Sequence, residues 1–441
     1  MRYVVIGLGV SGKAASEVLL SENHTVIGID QNPEQQSIVI WQKGLKSPIE
    51  IFQQDEPVDL SAVDKAIVSP GVSLESHLVQ KLVKLNIPVI GEAEFALSRI
   101  KNCCIGITGS NGKTTTTLFI AHLLKIAGLK AVAIGNVGTP FSEYLLHQRP
   151  DDICVCELSS YQLETLKTCC LDFGVILEIT PDHMDRYPTF EAYACAKFNM
   201  LKCLKTQGRA FVSYPTYTSF AKDITSLHAA VSCIPFEFSL QNKNCYLQLT
   251  KNKEYCDFLP LIKEKALGCE LLFIGASLLK AFSLDSTVLY QALASFKKPE
   301  HRLELVDVIN DITFYNDSKA TNVESVLYAV KNLEKQIYLI VGGKDKNLCF
   351  DPWIEAFKDT VEHVFAIGES AEKIQSSLEP AIKVELCVTL ENALRCAYQK
   401  ATPRSKILLS PGCASFDQFK DYRHRGECFK NYVTALKQEV V

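Results

Sequence analysis

Short β-branched runs alternate with helical stretches along almost all of this 441-residue chain. That alternation restricts its fold more than any other feature, because a strand followed by a covering helix, repeated, builds parallel sheets clad with helices. The pattern separates into three blocks. Residues 1–92 carry expected strands near Tyr3 to Ile6, Thr25 to Ile29, Lys65 to Val68 and Pro88 to Ile90. Residues 93–297 carry them near Cys103 to Ile107, Lys130 to Ile134, Ile153 to Glu157, Phe173 to Ile179 and Arg209 to Ser213, and end near the Lys297-Lys298-Pro299 break. Residues 298–441 carry them near Ile312 to Asn316, Gln336 to Val341, His363 to Ile367 and Lys406 to Ser410.

The second block opens on Thr108-Gly109-Ser110-Asn111-Gly112-Lys113-Thr114-Thr115, between a strand-like run and a helix-like one. In that context a glycine-rich turn cradles phosphates: backbone N–H groups approach phosphate oxygens and the helix N-terminus adds partial positive charge. Lys113 then reaches the β/γ-phosphates and the Thr114 hydroxyl suits Mg²⁺. A standard loop of this type has a further glycine where Ile107 stands, so this turn begins instead as Thr-Gly-x-x-Gly-Lys-Thr. The first block opens on Gly7-Leu8-Gly9-Val10-Ser11-Gly12 after a strand, with Asp30 ending the next strand. That spacing is the dinucleotide fingerprint, and the turn fits a diphosphate without naming the nucleoside. Ser11 as a helix cap and Asp30 as a turn residue are the purely structural alternatives. The expected fold is α/β in three domains: Rossmann-like, central P-loop ATPase-type parallel sheet, and Rossmann-like again.

Hydrophobic residues at 47%, charged residues at 22% and a net charge of −4 leave no electrostatic footprint for nucleic acid or an anionic membrane. The N-terminus enters a strand pattern directly, without a signal-peptide core, and no apolar run reaches membrane-spanning length. The 17 cysteines include no Cys-x-x-Cys pair and many sit in apolar strand-like runs. They read as buried reduced thiols of a cytoplasmic protein rather than as disulfides or a zinc framework.

More motifs fall where expected strands end, the place where ligands of open α/β sheets collect. These are Ser69-Pro70-Gly71-Val72, Gly135-Asn136-Val137-Gly138, Cys156-Glu157-Leu158-Ser159-Ser160 and Thr180-Pro181-Asp182-His183-Met184-Asp185. Lys197 follows, and the third block adds His301-Arg302, Asp317-Ser318-Lys319-Ala320-Thr321-Asn322, Gly342-Gly343-Lys344-Asp345-Lys346 and Ser410-Pro411-Gly412-Cys413-Ala414-Ser415-Phe416-Asp417-Gln418-Phe419. Together, and in this order, they closely resemble the Mur ligases over essentially the whole chain. The central motifs are shared with folylpolyglutamate synthases. Those of the third block are similar to the D-glutamate-adding branch, and the Asp-Asn-Pro-Arg motif expected of a diaminopimelate-adding enzyme is not found.

The resemblance implies an ATP-dependent ligase that joins D-glutamate to UDP-N-acetylmuramoyl-L-alanine through an acyl phosphate, in the cytoplasmic stage of peptidoglycan synthesis, as a monomer. It implies ATP contacts from Gly109, Ser110, Asn111, Gly112, Lys113, Thr114 and Thr115, and from His301, Arg302 and Asp317 in the third block. Closure of the third block onto the second is then expected before chemistry. Two Mg²⁺ ions are implied: one on Thr114 and Glu157, the other on His183, with Lys197 supporting the metals if it is carbamylated. Lys113, Glu157, His183 and Lys197 are the implied catalytic set. The UDP-substrate site falls to Gly9, Val10, Ser11, Asp30, Gly71 and Asn136, and the D-glutamate site to Lys319, Thr321, Lys346, Ser415 and Tyr422. One family feature is missing: Gly275-Ala276-Ser277-Leu278-Leu279-Lys280 stands where a Gly-x-His-Asn-x-x-Asn stretch contacts adenine. A sibling ligase with another acceptor and a folylpolyglutamate synthase are the near alternatives. A dinucleotide-dependent oxidoreductase would explain only the first block, and a P-loop switch only the second.

Overall fold

The computed structural model describes residues 1–440 apart from 185, 228–230, 234–245, 249–254, 258–268, 334, 346–347 and 380. The chain divides into two compact units, Met1–Phe296 and Lys297–Val441.

The first unit holds two large sheets. In the first, β1 (Arg2–Ile6), β2 (Thr25–Asp30), β3 (Glu50–Gln53), β4 (Lys65–Val68) and β5 (Val89–Gly91) are all parallel, in the order β3-β2-β1-β4-β5. Side chains alternate across it, as a pleated strand requires: Val4 and Ile6 enter one core, Tyr3 and Val5 the other. In the second sheet, β6 (Cys103–Thr108), β7 (Ala131–Gly135), β8 (Ile153–Glu157), β9 (Leu171–Ile176), β10 (Leu204–Val212) and β11 (Val231–Cys233) lie parallel in the order β11-β10-β9-β6-β8-β7. A small antiparallel pair, β12 (Tyr246–Gln248) and β13 (Tyr255–Asp257), completes the unit.

The two large sheets are joined by shared helices. From the Glu92–Leu97 helix, Phe95 enters the core of the first sheet while Ala93, Ala96 and Leu97 enter that of the second. Leu145, on the Phe141–His147 helix, packs against both cores. Polar links reinforce the joint: Glu92 Oε1 accepts the Ser142 N–H at 2.7 Å, and Glu94 accepts the N–H groups of Lys167 and Thr168 at 2.8 and 3.0 Å.

The second unit is one sheet of β14 (Glu304–Ile309), β15 (Ile312–Asn316), β16 (Ile337–Gly342), β17 (Val361–Ile367), β18 (Val384–Leu386) and β19 (Lys406–Leu409), in the order β14-β15-β19-β16-β17-β18. Only the β14–β15 pair is antiparallel. Six strands escaped the sequence reading: β3, β11, β14 and β18, which lie at sheet edges, and the separate β12–β13 pair. The strand expected over Phe173 to Ile179 runs over Leu171–Ile176; Leu177 and Ile179 beyond it are buried without strand pairing. Among the described residues no helix is long and apolar enough to cross a membrane.

Candidate functional site

At the carboxyl end of β6 the chain needs glycine twice. Gly109 sits at φ +148°, and a Cβ there would lie 2.6 Å from Leu177 Cβ; Gly112, at φ +79°, is the N-cap of the Lys113–Ile126 helix and offers no capping side chain. Backbone donors of the first turn are thereby left to a ligand. Ser110 anchors the loop: its N–H donates to Glu178 O at 3.0 Å, its hydroxyl donates to Thr180 O at 2.7 Å, and that hydroxyl accepts the Thr180 N–H at 2.9 Å. Both polar groups of Ser110 therefore have partners inside the protein. Asn111, Thr114 and Thr115 are half-buried in and after the turn.

Two lysines meet on one carbonyl here. Lys113 Nζ donates to Gly109 O and to Ser110 O, each at 2.8 Å, and Lys197 Nζ donates to the same Gly109 O, also at 2.8 Å. Lys197 comes from the Phe190–Lys202 helix, is 1% exposed, and places its Nζ 4.5 Å from the centre of the Tyr193 ring. Burial, and after it the Lys113 ammonium, hold its amine well below the usual lysine range, against the opposing pull of Asp182 and Glu157.

Glu157 ends β8 in full burial. Its Oε1 accepts from Asn136 Nδ2 at 2.7 Å, and Asn136 N–H donates to the Glu157 carbonyl at 3.0 Å. Its Oε2 is buried without a hydrogen-bond partner, a costly state for a carboxylate oxygen that a bound cation would relieve. Asn136 is thus placed against Glu157 at the ends of β7 and β8. His183 adopts φ +58° in the turn after β9; its Nδ1 lies 2.8 Å from the Tyr161 hydroxyl, and its Nε2 lies 3.8 Å from Asp182 Oδ2. The tyrosine on Nδ1 fixes the orientation of the imidazole. Arg186 stacks 3.9 Å from the centre of the Tyr161 ring and pairs with Glu164 at 2.7 Å, so the tyrosine is itself fixed.

The turn after β1 is built differently. Gly7 takes φ +84°, and a Cβ on Gly12 would sit 1.9 Å from Gly7 O. The helix that follows starts at Val10 with Gly9 as N-cap and no side-chain cap, so Ser11 does not fill that role. Asp30 ties the turn down: its Oδ2 accepts the Leu8 N–H at 2.6 Å and its Oδ1 accepts the Asn32 N–H at 2.8 Å. Gly9 and Gly71 face open space, and Val10 is exposed. A cleft lined by Ser69, Pro70, Gly91, Tyr161, Gln162 and Arg186, among others, joins the ends of this first sheet to the second.

In the second unit His301, at φ +63°, is buried; its Nδ1 lies 2.9 Å from Asn316 Nδ2, and its ring stands where a Cβ on Gly426 would be. Asp317 accepts the Leu303 N–H at 3.0 Å and the Ser410 hydroxyl at 2.9 Å, and burial raises its carboxyl to about 6, against the pull of Arg302 and Lys298. Lys319 Nζ lies 4.0 Å from the centre of the Tyr422 ring. Thr321 is half-buried and Ser415 buried; Lys346 lies outside the described residues. The sequence reading missed Arg425, whose buried guanidinium donates to Ser318 Oγ, Ser318 O and Cys413 O at 2.8–3.1 Å and so binds the Asp317 to Asn322 loop to the one before Ser415. It also missed Tyr161 and Tyr193. None of the three has a spacing signal, since each acts on a loop distant in sequence. The Gly275 stretch lies in the Cys269–Ala281 helix, with Leu278 and Leu279 buried and Gly275 close against Phe119, Leu123 and Leu289, so this face serves the core.

Known families match this geometry in order. Residues 1–91 match the MurD-like N-terminal domain of Mur ligases, 107–280 the Mur ligase middle domain, and 301–413 the Mur ligase glutamate ligase domain. The chain belongs to the Mur ligase family, and within it to the MurD-like branch. It is 39% identical to the UDP-N-acetylmuramoylalanine–D-glutamate ligase of Protochlamydia amoebophila over 99% of this chain and 98% of that one. It is 33% identical to the ligase of the same name from Thermoanaerobacter sp., over 99% of each. Among solved structures, MurC of Thermotoga maritima, a UDP-N-acetylmuramate-alanine ligase, shares the fold at a TM-score of 0.58 and 15% identity over 99% of this chain and all of that one. FolC of E. coli in complex with DHPP and ADP shares it at 0.57 and 15% identity, over 78% and 92%.

Proposed function

We propose that this chain is an ATP-dependent ligase that forms the amide bond between UDP-N-acetylmuramoyl-L-alanine and D-glutamate, acting in the cytoplasm as a monomer. The observation that carries the reading is the meeting of Lys113, Lys197 and the unpartnered Glu157 oxygen around one phosphate turn, in a chain whose full-length relatives carry that activity in their names. In this reading residues 1–92 hold the UDP-substrate through Gly9, Val10, Ser11, Asp30 and Gly71, residues 93–297 hold ATP, and residues 298–441 hold D-glutamate.

One carboxylate oxygen is made part of a leaving group by taking the γ-phosphoryl group of ATP, with release of ADP; the amine of D-glutamate then attacks the acyl carbon, loses a proton and displaces phosphate. Both steps gather negative charge that must be neutralised. Lys113 exchanges its two loop carbonyls for the γ-phosphate. Asn136 fixes Glu157 and also reaches the sugar or peptide part of the substrate. Thr114, Glu157 and His183 suit Mg²⁺, an oxygen- and imidazole-tolerant ion whose charge would screen the phosphates. Burial holds the Lys197 amine well below the usual lysine range, and in its neutral form such an amine adds to CO₂ with release of one proton; the carbamate would be an anion able to support a metal site. Lys319, Thr321, Lys346, Ser415 and Tyr422 receive the two carboxylates of D-glutamate. His301, Arg302 and Asp317 complete the nucleotide site, while adenine is held by groups other than a His-Asn motif.

The test is phosphate release from ATP with Mg²⁺ and UDP-N-acetylmuramoyl-L-alanine, with D-glutamate, L-glutamate, diaminopimelate or no acceptor. Release only with D-glutamate is expected. Release with another acceptor moves the chain to a sibling specificity, and release without any acceptor sinks the ligase reading.

A further inference from the structure

A second cluster of metal-ligating side chains lies at the β18 edge of the second unit, with none of the residues assigned above. Glu385 lies on β18, Cys387 follows directly, and Cys396 comes down from the Leu390–Lys400 helix that covers this face. The carboxylate oxygen and both sulfurs lie within 4.8 Å of one another. Donor atoms around a tetrahedral zinc stand roughly 3.3–3.8 Å apart, so the three need only small side-chain shifts to share an ion. A histidine adjoins the carboxylate. His363 on β17 places Nε2 3.6 Å from Glu385 Oε2, and that nitrogen is buried without a hydrogen-bond partner. Its ring stacks on Phe365 at 4.8 Å and 23°, which fixes its plane.

We propose that Glu385, Cys387 and Cys396 form a binding site for a thiophilic divalent cation of the zinc type, with water as the fourth ligand and His363 beside Glu385 as a positioning residue. Two sulfurs with one carboxylate select such an ion over Mg²⁺ or Ca²⁺, which prefer all-oxygen shells. The charges also balance. Two thiolates and a carboxylate carry three negative charges; a divalent cation and the Lys400 ammonium, 3.2 Å from Glu385 Oε2, supply three positive ones. The ion would tie the last strand of the sheet to the helix above it. An entry path exists, because Cys396 and Glu385 are only partly buried.

Full-length protein, reduced and stripped with a chelator, is titrated with Co²⁺ as the probe. One equivalent should raise thiolate-to-cobalt charge-transfer absorption, which Zn²⁺ displaces and excess Mg²⁺ leaves unchanged. The band should vanish in Cys387→Ser and Cys396→Ser, and His363→Gln should weaken Co²⁺ binding about tenfold. A measurement on the unsubstituted protein guards against variants that fail to fold: Zn²⁺ should protect Cys387 and Cys396 from alkylation, read by peptide mass spectrometry, and leave the exposed Cys195 and Cys349 reactive. Absence of that protection overturns the proposal, as does a charge-transfer band that survives loss of both cysteines. A Cys387–Cys396 disulfide in the isolated protein, with no cation taken up after reduction, also overturns it.

Discussion

The turns after β1 and β6 look alike in sequence, each a glycine-rich link from strand to helix, but the structure fills them differently. The first is closed on itself: Asp30 takes two backbone N–H groups of its own neighbourhood. The second is held by Ser110 and leaves charge unresolved, with two lysines on one carbonyl and a carboxylate oxygen without a partner. A ligand that only has to be held needs shape and donors. One whose charge changes during a reaction needs mobile countercharge already in place. Under the proposed function, the same motif grammar yields a grip in one sheet and a reaction centre in the other.

Four substitutions can break or sharpen that contrast. Lys113→Ala should lower phosphate release about 10³-fold or more, since phosphoryl transfer depends on such clamps, while affinity for the UDP-substrate by calorimetry stays within about twofold. Equal loss of both would erase the distinction between the turns. Lys197→Ala should lose about 10²-fold, on the scale of one transition-state contact, and regain part of it when short-chain carboxylic acids are added to the assay. A fully active variant removes this residue from the chemistry. Asp30→Ala frees two backbone donors and should weaken UDP-substrate binding about tenfold, near the 1–1.5 kcal/mol of a hydrogen bond; ATP affinity should not move, and an equal drop in both would show the turns to be coupled.

A fourth effect, on stability and not on activity, belongs to a group outside both turns. The Asp317 carboxyl is raised from 3.8 to about 6, with burial as the first cause. A raised pKa means that its stabilising contribution is whole below pH 3.8 and is lost as pH rises through about 6. Asp317→Asn should therefore lose less stability than the parent between pH 4 and pH 7, by at most about 3 kcal/mol. Urea unfolding at the two pH values measures the difference, and identical slopes would contradict it.

The interior strands were legible because parallel strands covered on both faces read as continuous apolar runs; Ile153–Glu157 and Ile312–Asn316 were found to the residue. Of the edge strands β5 and β7 were legible, but β3, β11, β14 and β18 were not. β3 and β18 have only 4 and 3 residues, and β14 is half-exposed along its length, so neither length nor apolar period marks them. In the site, Lys113 and Glu157 announce themselves by position at strand ends. Lys197 reads as an ordinary helix lysine until the fold buries it, and Arg425 has no local signal because its partners lie at Ser318 and Cys413. Cys387 and Cys396 show no ligand spacing either, for they meet only when the β18 edge and its helix come together.

The Glu92–Leu97 helix, shared between two cores, gives the first unit a fixed gauge. With Phe95 in one sheet and Ala96 in the other, the span between the turn that grips and the turn that reacts is set by packed side chains and not by a linker. Under the proposed function, a substrate clasped at its diphosphate end would be measured along its length, and a molecule one peptide unit too short or too long would present the wrong atom to Lys113. Selectivity among successive intermediates that share the same head group would then arise without any contact to the part that differs.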